Sequence, residues 1–303
     1  MTSNTAVQTT RFAPSPNGAL HLGHALSAIV GFDWAQRNSG RFLVRIEDID
    51  VSRSREEFVA TILDDLSWLG LSWAEAPLRQ SSNFPAYATA AHELERMGLL
   101  YPCFATRGEI ASAIAQLGAT GGVVERDPDG TPLYPGLHRG MAASEVERRR
   151  RQGERSAMRL DMERALAAAR AKLEGRPLDY LEAAEDGASR RVLANPALWG
   201  DAVIVRKDTP ASYHLAVVVD DAAQGVTRVT RGRDLEAATG LHRLLQVLLG
   251  LPEPTYHHHR LVLDDDGRKL SKSDGAVALS ALRAAGVSPQ EVRTMLDLPP
   301  APG

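Results

Sequence analysis

Apolar positions along the chain recur with two different spacings, and the switches between them divide it into elements. Residues 9–13 read as a short strand, after which Ala25, Leu26, Ile29 and Val30 fall at helical spacing and predict a helix over about 23–37. Residues 41–48 alternate, with Phe42, Val44 and Ile46 on one face, which predicts a second strand. Strand, helix and strand in that order imply a parallel βαβ unit. Between residues 54 and 70, Phe58, Ile62, Leu66 and Leu69 form a stripe flanked by Val59 and Leu63, the pattern of an amphipathic helix closed by Gly70. A further helix is expected over about 85–97, ending at Gly98.

From residue 100 to about 194 the periodicity loosens into turn-rich stretches at 120–122 and 127–132, read as an insertion between two halves of one domain. Order returns at 199–206, which begins a second strand-rich part. The apolar run Leu215 to Val219, within 212–221, fits a strand covered on both faces. Residues 226–232 predict another strand with Arg231 at its carboxyl end, and 241–249 are apolar at helical spacing. Residues 261–263 predict a strand entering an Asp-Gly turn and a basic loop, and 276–298 two short helices. The expected fold class is α/β: a Rossmann-like parallel-sheet nucleotide-binding domain with an inserted subdomain and a short helical C-terminal part. Its expected boundaries are a disordered tail 1–10, a first catalytic half 11–100, the insertion 101–195, a second half 196–250, a loop and helical region 251–298, and a disordered end 299–303.

Composition narrows the setting. The 303 residues suffice for such a domain plus an insertion, and 44% hydrophobic with 24% charged residues is ordinary for a globular chain rather than a disordered one. A single cysteine excludes an internal disulfide and implies a reducing cytoplasm. No apolar run reaches bilayer length, and residues 2–10 lack a signal-peptide core, so no membrane association is expected. The net charge of −3 gives no global sign of nucleic-acid binding, so any RNA contact requires a local patch. The basic run Arg148-Arg149-Arg150-Arg151 has Glu145, Glu147 and Glu154 around it and reads as a solvated helix face.

Candidate chemistry concentrates at His21-Leu22-Gly23-His24, where the first strand gives way to the first helix. A helix N-terminus presents unpaired N–H groups and a partial positive charge to an anion. Gly23 permits close approach of a ligand, and His21 and His24 can donate to phosphoryl oxygens. Pro14 and Pro16 stiffen the loop before them. Glu47, Asp48 and Asp50 fall beyond the carboxyl end of the second strand, where open parallel sheets bind ligands. Glu47 suits an ammonium group, and Asp50 is expected to cap the next helix. Arg11 and Arg231 have Asp220, Asp221 and Asp234 as possible ion-pair partners. His257-His258-His259 point to alternating faces of a strand and are expected to be packing residues rather than metal ligands.

Taken whole, the stretch from Arg11 to His24 resembles the first signature of class I aminoacyl-tRNA synthetases in its glutamyl form. Lys269-Leu270-Ser271-Lys272-Ser273 resembles the second, and 45–48 and 231–235 match further motifs. With gaps, the match runs from Arg11 to about Leu282, and the chain as a whole is similar to the shortened glutamyl-Q tRNA(Asp) synthetases. The resemblance implies L-glutamate and ATP as substrates, with Mg²⁺. It implies that His21, His24 and Lys272 are catalytic, that His21, Gly23, His24, Lys269 and Lys272 bind ATP, and that Arg11, Phe12, Ala13, Pro14, Ser15, Glu47, Tyr213 and Arg231 surround glutamate. The attacking carboxylate is ionised at neutral pH, so catalysis reduces to positioning and charge stabilisation.

Many relatives hold zinc in the insertion through Cys-x-Cys and Tyr-x-x-x-Cys. Here those positions leave Cys103, Tyr134 and His138, too poor a set for tetrahedral zinc, so no structural zinc is expected and Cys103 is expected to be a buried apolar residue. About thirty residues follow Ser273, too few for an anticodon-gripping helical domain. The resemblance therefore implies a cytoplasmic monomer that transfers glutamate to the queuosine base at the wobble position of tRNA(Asp). The alternatives are a minimal enzyme charging a tRNA 3′ end, a nucleotidyltransferase acting on another acid, and a non-catalytic tRNA-binding relative.

Overall fold

A computed structural model describes residues 7–184, 188–263 and 277–301. The chain opens with β1 (Thr9–Phe12), α1 (Leu22–Arg37) and β2 (Arg41–Ile46), the expected βαβ unit, in which Thr9 lies opposite Arg41 and Phe12 opposite Val44. Gly40 makes the return from helix to strand possible, because a Cβ there would sit 2.2 Å from the carbonyl oxygen of Gln8. Then follow α2 (Glu56–Trp68), β3 (Leu78–Arg79), α3 (Phe84–Arg96), β4 (Leu100–Cys103), α4 (Arg107–Ala119), α5 (Ala143–Arg151), β5 (Ala157–Leu160) and α6 (Met162–Lys172). The remainder comprises β6 (Asp179–Ala183), β7 (Ser189–Leu193), β8 (Val203–Val205), α7 (Tyr213–Ala223), β9 (Arg228–Gly232), α8 (Ala238–Leu249), β10 (Thr255–His259), α9 (Leu279–Ala284) and α10 (Pro289–Met295).

Seven strands form one sheet in the order β3-β2-β1-β9-β10-β6-β7, parallel throughout except for the β6–β7 hairpin. β4, β5 and β8 form a small antiparallel sheet. The stretch 101–195 therefore contributes to both sheets, and the small sheet is completed by a strand that follows it. Strand order reverses between β1 and β9, with β2 and β3 added on one side and β10 on the other, the kind of switch point at which a parallel sheet opens a crevice beyond its carboxyl ends.

Both faces of the large sheet are covered. Phe42, Val44 and Ile46 pack with Leu26, Ile29, Ile62 and Leu66, and the C-terminal helices add Leu279 and Val292 to that layer. Tyr87, Leu94, Leu215, Leu244 and Leu245 belong to the layer on the other side. Leu43 and Arg45, on the second face of β2, are as deeply buried as their neighbours.

Three expectations need correction. Residues 213–221 form the helix α7, not a strand, and Leu215 to Val218 are buried because α3, α8 and β8 surround it. A short apolar run fits a buried helix as well as a buried strand, and here packing decided between them. The strand expected at 261–263 lies earlier, as β10, and the expected Asp-Gly turn and basic loop fall at 264–276, outside the described residues. The N-cap of α2 is Arg55, not Asp50, whose carboxylate instead accepts from Ser52. Among the described residues no helix is long and apolar enough to cross a membrane.

The C-terminal helices are tied to α1 by a buried bidentate pair, Arg293 Nη2 to Asp33 Oδ1 at 2.6 Å and Nη1 to Oδ2 at 2.9 Å, with both side chains about 5% exposed or less. Replacing Arg293 with Met leaves Asp33 buried without its cation, and is expected to lower the unfolding free energy by about 3–5 kcal/mol in urea titration. Adding Asp33→Asn should recover part of that loss; a single-variant change below about 1 kcal/mol would show that the pair does not hold these helices.

Candidate active site

At the switch point the carboxyl ends of β1, β2, β9 and β10 surround a cleft of about 840 Å³. Arg11 to Ser15, His21, Gly23, His24, Glu47, Tyr213 and Arg231 all line it, so every expected glutamate-side residue and the first-loop ATP residues share one cavity. Lys269 and Lys272 lie outside the described residues. The chain flanking 264–276 nevertheless sits at the same place: Leu261 and Val262 line the cleft, and Ala278 and Leu279 meet the first loop, with Leu279 N–H donating to Leu20 O at 2.8 Å.

The two imidazoles cap α1. His21 is the N-cap, and its Nδ1 accepts from Gly23 N–H at 3.1 Å; His24 Nδ1 accepts from His21 N–H at 3.2 Å. An accepting Nδ1 places the proton of a neutral ring on Nε2, so the caps set both tautomers. The rings lie 3.9 Å apart. Gly23 has a further effect the sequence did not suggest: an added Cβ would lie 3.0 Å from His21 Cε1, so the glycine leaves room for the capping ring itself.

Beneath them lies a buried ionic network. Asp221 receives Arg11 Nε at 2.8 Å and Arg45 Nη1 at 2.8 Å. Burial works against the Asp221 carboxylate, but the two guanidinium groups outweigh it and hold its pKa below the ordinary range. Its neighbour Asp220 accepts from Gln80, Asn83 and Tyr87. Arg45 is fully buried and also lies 3.8 Å from Glu47. Burial, only partly offset by Arg45 and Arg11, pushes the Glu47 carboxyl up to about 7. Asp48 faces away, accepting from Arg79 Nε and from Ser81.

Arg231 differs from Arg11. Its Nη1 meets His242 Nδ1 at 3.1 Å, its Nη2 donates to Thr239 Oγ1 at 2.5 Å, and its guanidinium lies over the Tyr256 ring. Among the described residues it forms no ion pair, so the alternative of carboxylate pairing holds for Arg11 and not for Arg231. His242 Nε2 in turn faces His214 Nδ1 at 3.2 Å, and burial next to the Arg231 charge pushes the pKa of both rings down. Tyr213, at the start of α7, packs against these two histidines.

The reading of the sequence missed Arg45, Thr239 and His242 and gave Asp221 only as an alternative partner. One signal was available: a charged residue inside a parallel strand covered on both faces must be paired. His257, His258 and His259 are all buried, and His259 Nε2 lies 2.6 Å from Ser27 Oγ on the wall of the cleft.

In the small-sheet region Cys103, Tyr134 and His138 do come together. Cys103 Sγ donates to Tyr134 Oη at 3.3 Å, and His138 Nδ1 accepts from the Phe104 and Ala105 amides at 3.0 and 3.3 Å. Burial and the Cys103 contact push the Tyr134 phenol up, and the Arg159 guanidinium lies 3.8 Å above its ring. A protonated phenol, one thiol and an imidazole with an occupied Nδ1 do not fit tetrahedral zinc. Arg148 to Arg151 pair with Glu145, Glu154, Glu95 and Glu147 on and around α5, as a solvated helix face should.

Comparison with known proteins places this cleft in a lineage. Residues 7–299 match the family described as tRNA synthetases class I (E and Q), catalytic domain. The chain is 45% identical over 298 residues to the glutamyl-Q tRNA(Asp) synthetase of Rhodobacter capsulatus, covering 95% of this chain and 99% of that protein. It is 36% identical over 290 residues to the glutamate–tRNA ligase of Aquifex aeolicus, covering 95% of this chain but 56% of that one. The crystal structure of glutamate-tRNA synthetase from Elizabethkingia anophelis superposes with a TM-score of 0.71 at 29% identity, over 89% of this chain and 53% of that chain. The chain thus spans about half the length of these longer glutamate enzymes and nearly all of the Rhodobacter protein. With the parallel sheet, the histidine-capped helix and the match across 7–299, this chain belongs to the class I tRNA synthetases of the E and Q family, as their catalytic domain.

Proposed function

We propose that this chain activates L-glutamate with ATP and transfers it to the queuosine base at the wobble position of tRNA(Asp). The observation that carries the first half is one cleft lined by two arginines, a carboxyl poised near neutrality and a histidine-capped helix N-terminus. The choice of acceptor rests on the likeness to the Rhodobacter enzyme along nearly its whole length.

In the first step an oxygen of the glutamate α-carboxylate bonds to the α-phosphorus of ATP, the bond from that phosphorus to the bridging oxygen breaks, and pyrophosphate leaves. The substrate carboxylates meet Arg231 and Arg11, and the substrate amine meets Glu47. His21 and His24 donate from Nε2 to phosphoryl oxygens as negative charge builds there, and the α1 N-terminus adds its field. Lys269 and Lys272 act on the phosphates from the second signature. A Mg²⁺ ion bound to the triphosphate would add charge neutralisation to that of these groups. In the second step a cyclopentenediol hydroxyl attacks the glutamyl carbonyl, forming an ester and releasing AMP.

Exchange of pyrophosphate into ATP should depend on glutamate, and labelled glutamate should map to the anticodon base of tRNA(Asp) after nuclease digestion. Label at a 3′ adenosine would show a minimal charging enzyme, and exchange driven by another acid would show a different nucleotidyltransferase.

Glu47 must be ionised to hold an ammonium group, and its carboxyl titrates at about 7 in the free protein. The KM for glutamate should therefore be flat above that pH and rise about tenfold per unit below it, a slope that Glu47→Gln should abolish while raising KM throughout. A flat profile in the unaltered protein would remove Glu47 from this role.

Gly23→Ala should push the His21 ring from its cap and lower the exchange rate about tenfold, in line with displacement rather than loss of one donor. A rate within twofold of the parent would show that His21 does not need that position.

A further inference from the structure

Arg231 is buried, with about 5% of the residue exposed, yet its described hydrogen-bond partners carry no negative charge. A buried guanidinium is costly unless a counter-charge reaches it. The sheet supplies one at a distance. β9 and β10 are parallel with Arg231 opposite His258, so the two side chains emerge on the same face of adjacent strands. Tyr256, two residues earlier and on that same face, lies parallel to the His258 ring with an interplanar angle of 9°.

The direction of the bonds between them follows from which groups can donate. A guanidinium has no acceptor, so Thr239 Oγ1 accepts from Arg231 and its one proton is left for His258 Nε2 at 3.0 Å. An accepting Nε2 places the ring proton on Nδ1, which faces Glu182 Oε1 at 3.0 Å. Glu182, on β6, accepts Arg190 from β7 on its other oxygen at 2.7 Å, at the wall of a second cleft of about 600 Å³. Burial and the Arg231 charge push His258 down to about 4, which keeps the ring neutral and the relay in this single arrangement. With Nη1 and Nη2 engaged, Nε of Arg231 is a buried donor without a partner among the described residues.

We infer that Thr239, His258 and Glu182 are positioning residues for glutamate recognition: they fix the plane of the Arg231 guanidinium and bring the charge of Glu182 to it through two neutral groups. This rests on the proposed glutamate activity. It also gives the middle histidine of the 257–259 run a task that neither metal binding nor filler describes.

The test uses the full chain in glutamate-dependent pyrophosphate exchange. Thr239→Val, nearly equal in shape, should raise the KM for glutamate about tenfold and leave the KM for ATP within twofold. Thr239→Ser should return the glutamate KM to within twofold of the parent. Glu182→Gln, a change on the rim that keeps an acceptor for His258, should raise the glutamate KM about threefold and serves if the buried variant fails to fold. Equal shifts in both KM values, or an unmoved glutamate KM in the two disruptive variants, overturns the inference. A parent protein without glutamate-dependent exchange overturns the functional reading instead, and the inference with it.

Discussion

Two arginines share one buried aspartate, and the candidate site is assembled on that contact. Asp221 lies on α7, Arg11 on β1 and Arg45 on β2, so the pairing locks a helix to the two strands that open the chain. A carboxylate this deep is held ionised because two cations face it, and its charge in turn offsets the cost of burying them. Arg11 therefore reaches the cleft already oriented, with little side-chain freedom left to lose when a ligand arrives.

The same network sets the condition of Glu47. Its nearest cation, Arg45, already serves Asp221 and sits close to Asp220, so burial dominates at Glu47 and raises its carboxyl to about 7. A group at that balance responds strongly to an added positive charge, which is what the amine of an amino acid provides. Arg231 is arranged differently, among neutral acceptors, and so presents a cation whose charge its direct neighbours do not cancel. The two ends of the cleft are thus unlike in electrostatics, although both carry an arginine.

At the α1 end of the cleft the imidazoles do two jobs. By capping α1 through Nδ1 they satisfy amides that a helix start leaves open, and the same bonds decide which ring nitrogen holds the proton. Structure and candidate chemistry are then one arrangement, which is why the glycine between them serves His21. In the small-sheet region the corresponding economy is absent: Cys103, Tyr134 and His138 satisfy one another and nearby amides, and form part of the packing.

The chain by itself determined the βαβ opening, the α/β class and the helix start at His21 to His24, because periodicity and motif spacing are local properties; the grouping of Glu47, Tyr213 and Arg231 came from the resemblance to the synthetases. It did not decide whether 213–221 is helix or strand, since five apolar residues in a row satisfy either and only the neighbours α3, α8 and β8 chose. Nor did it reveal that Arg45 and Asp221 meet, or that Thr239 stands between Arg231 and His258. Those contacts join residues far apart in sequence through strand order and register, and the cost of burying an unpaired charge acts only once folding has removed the water.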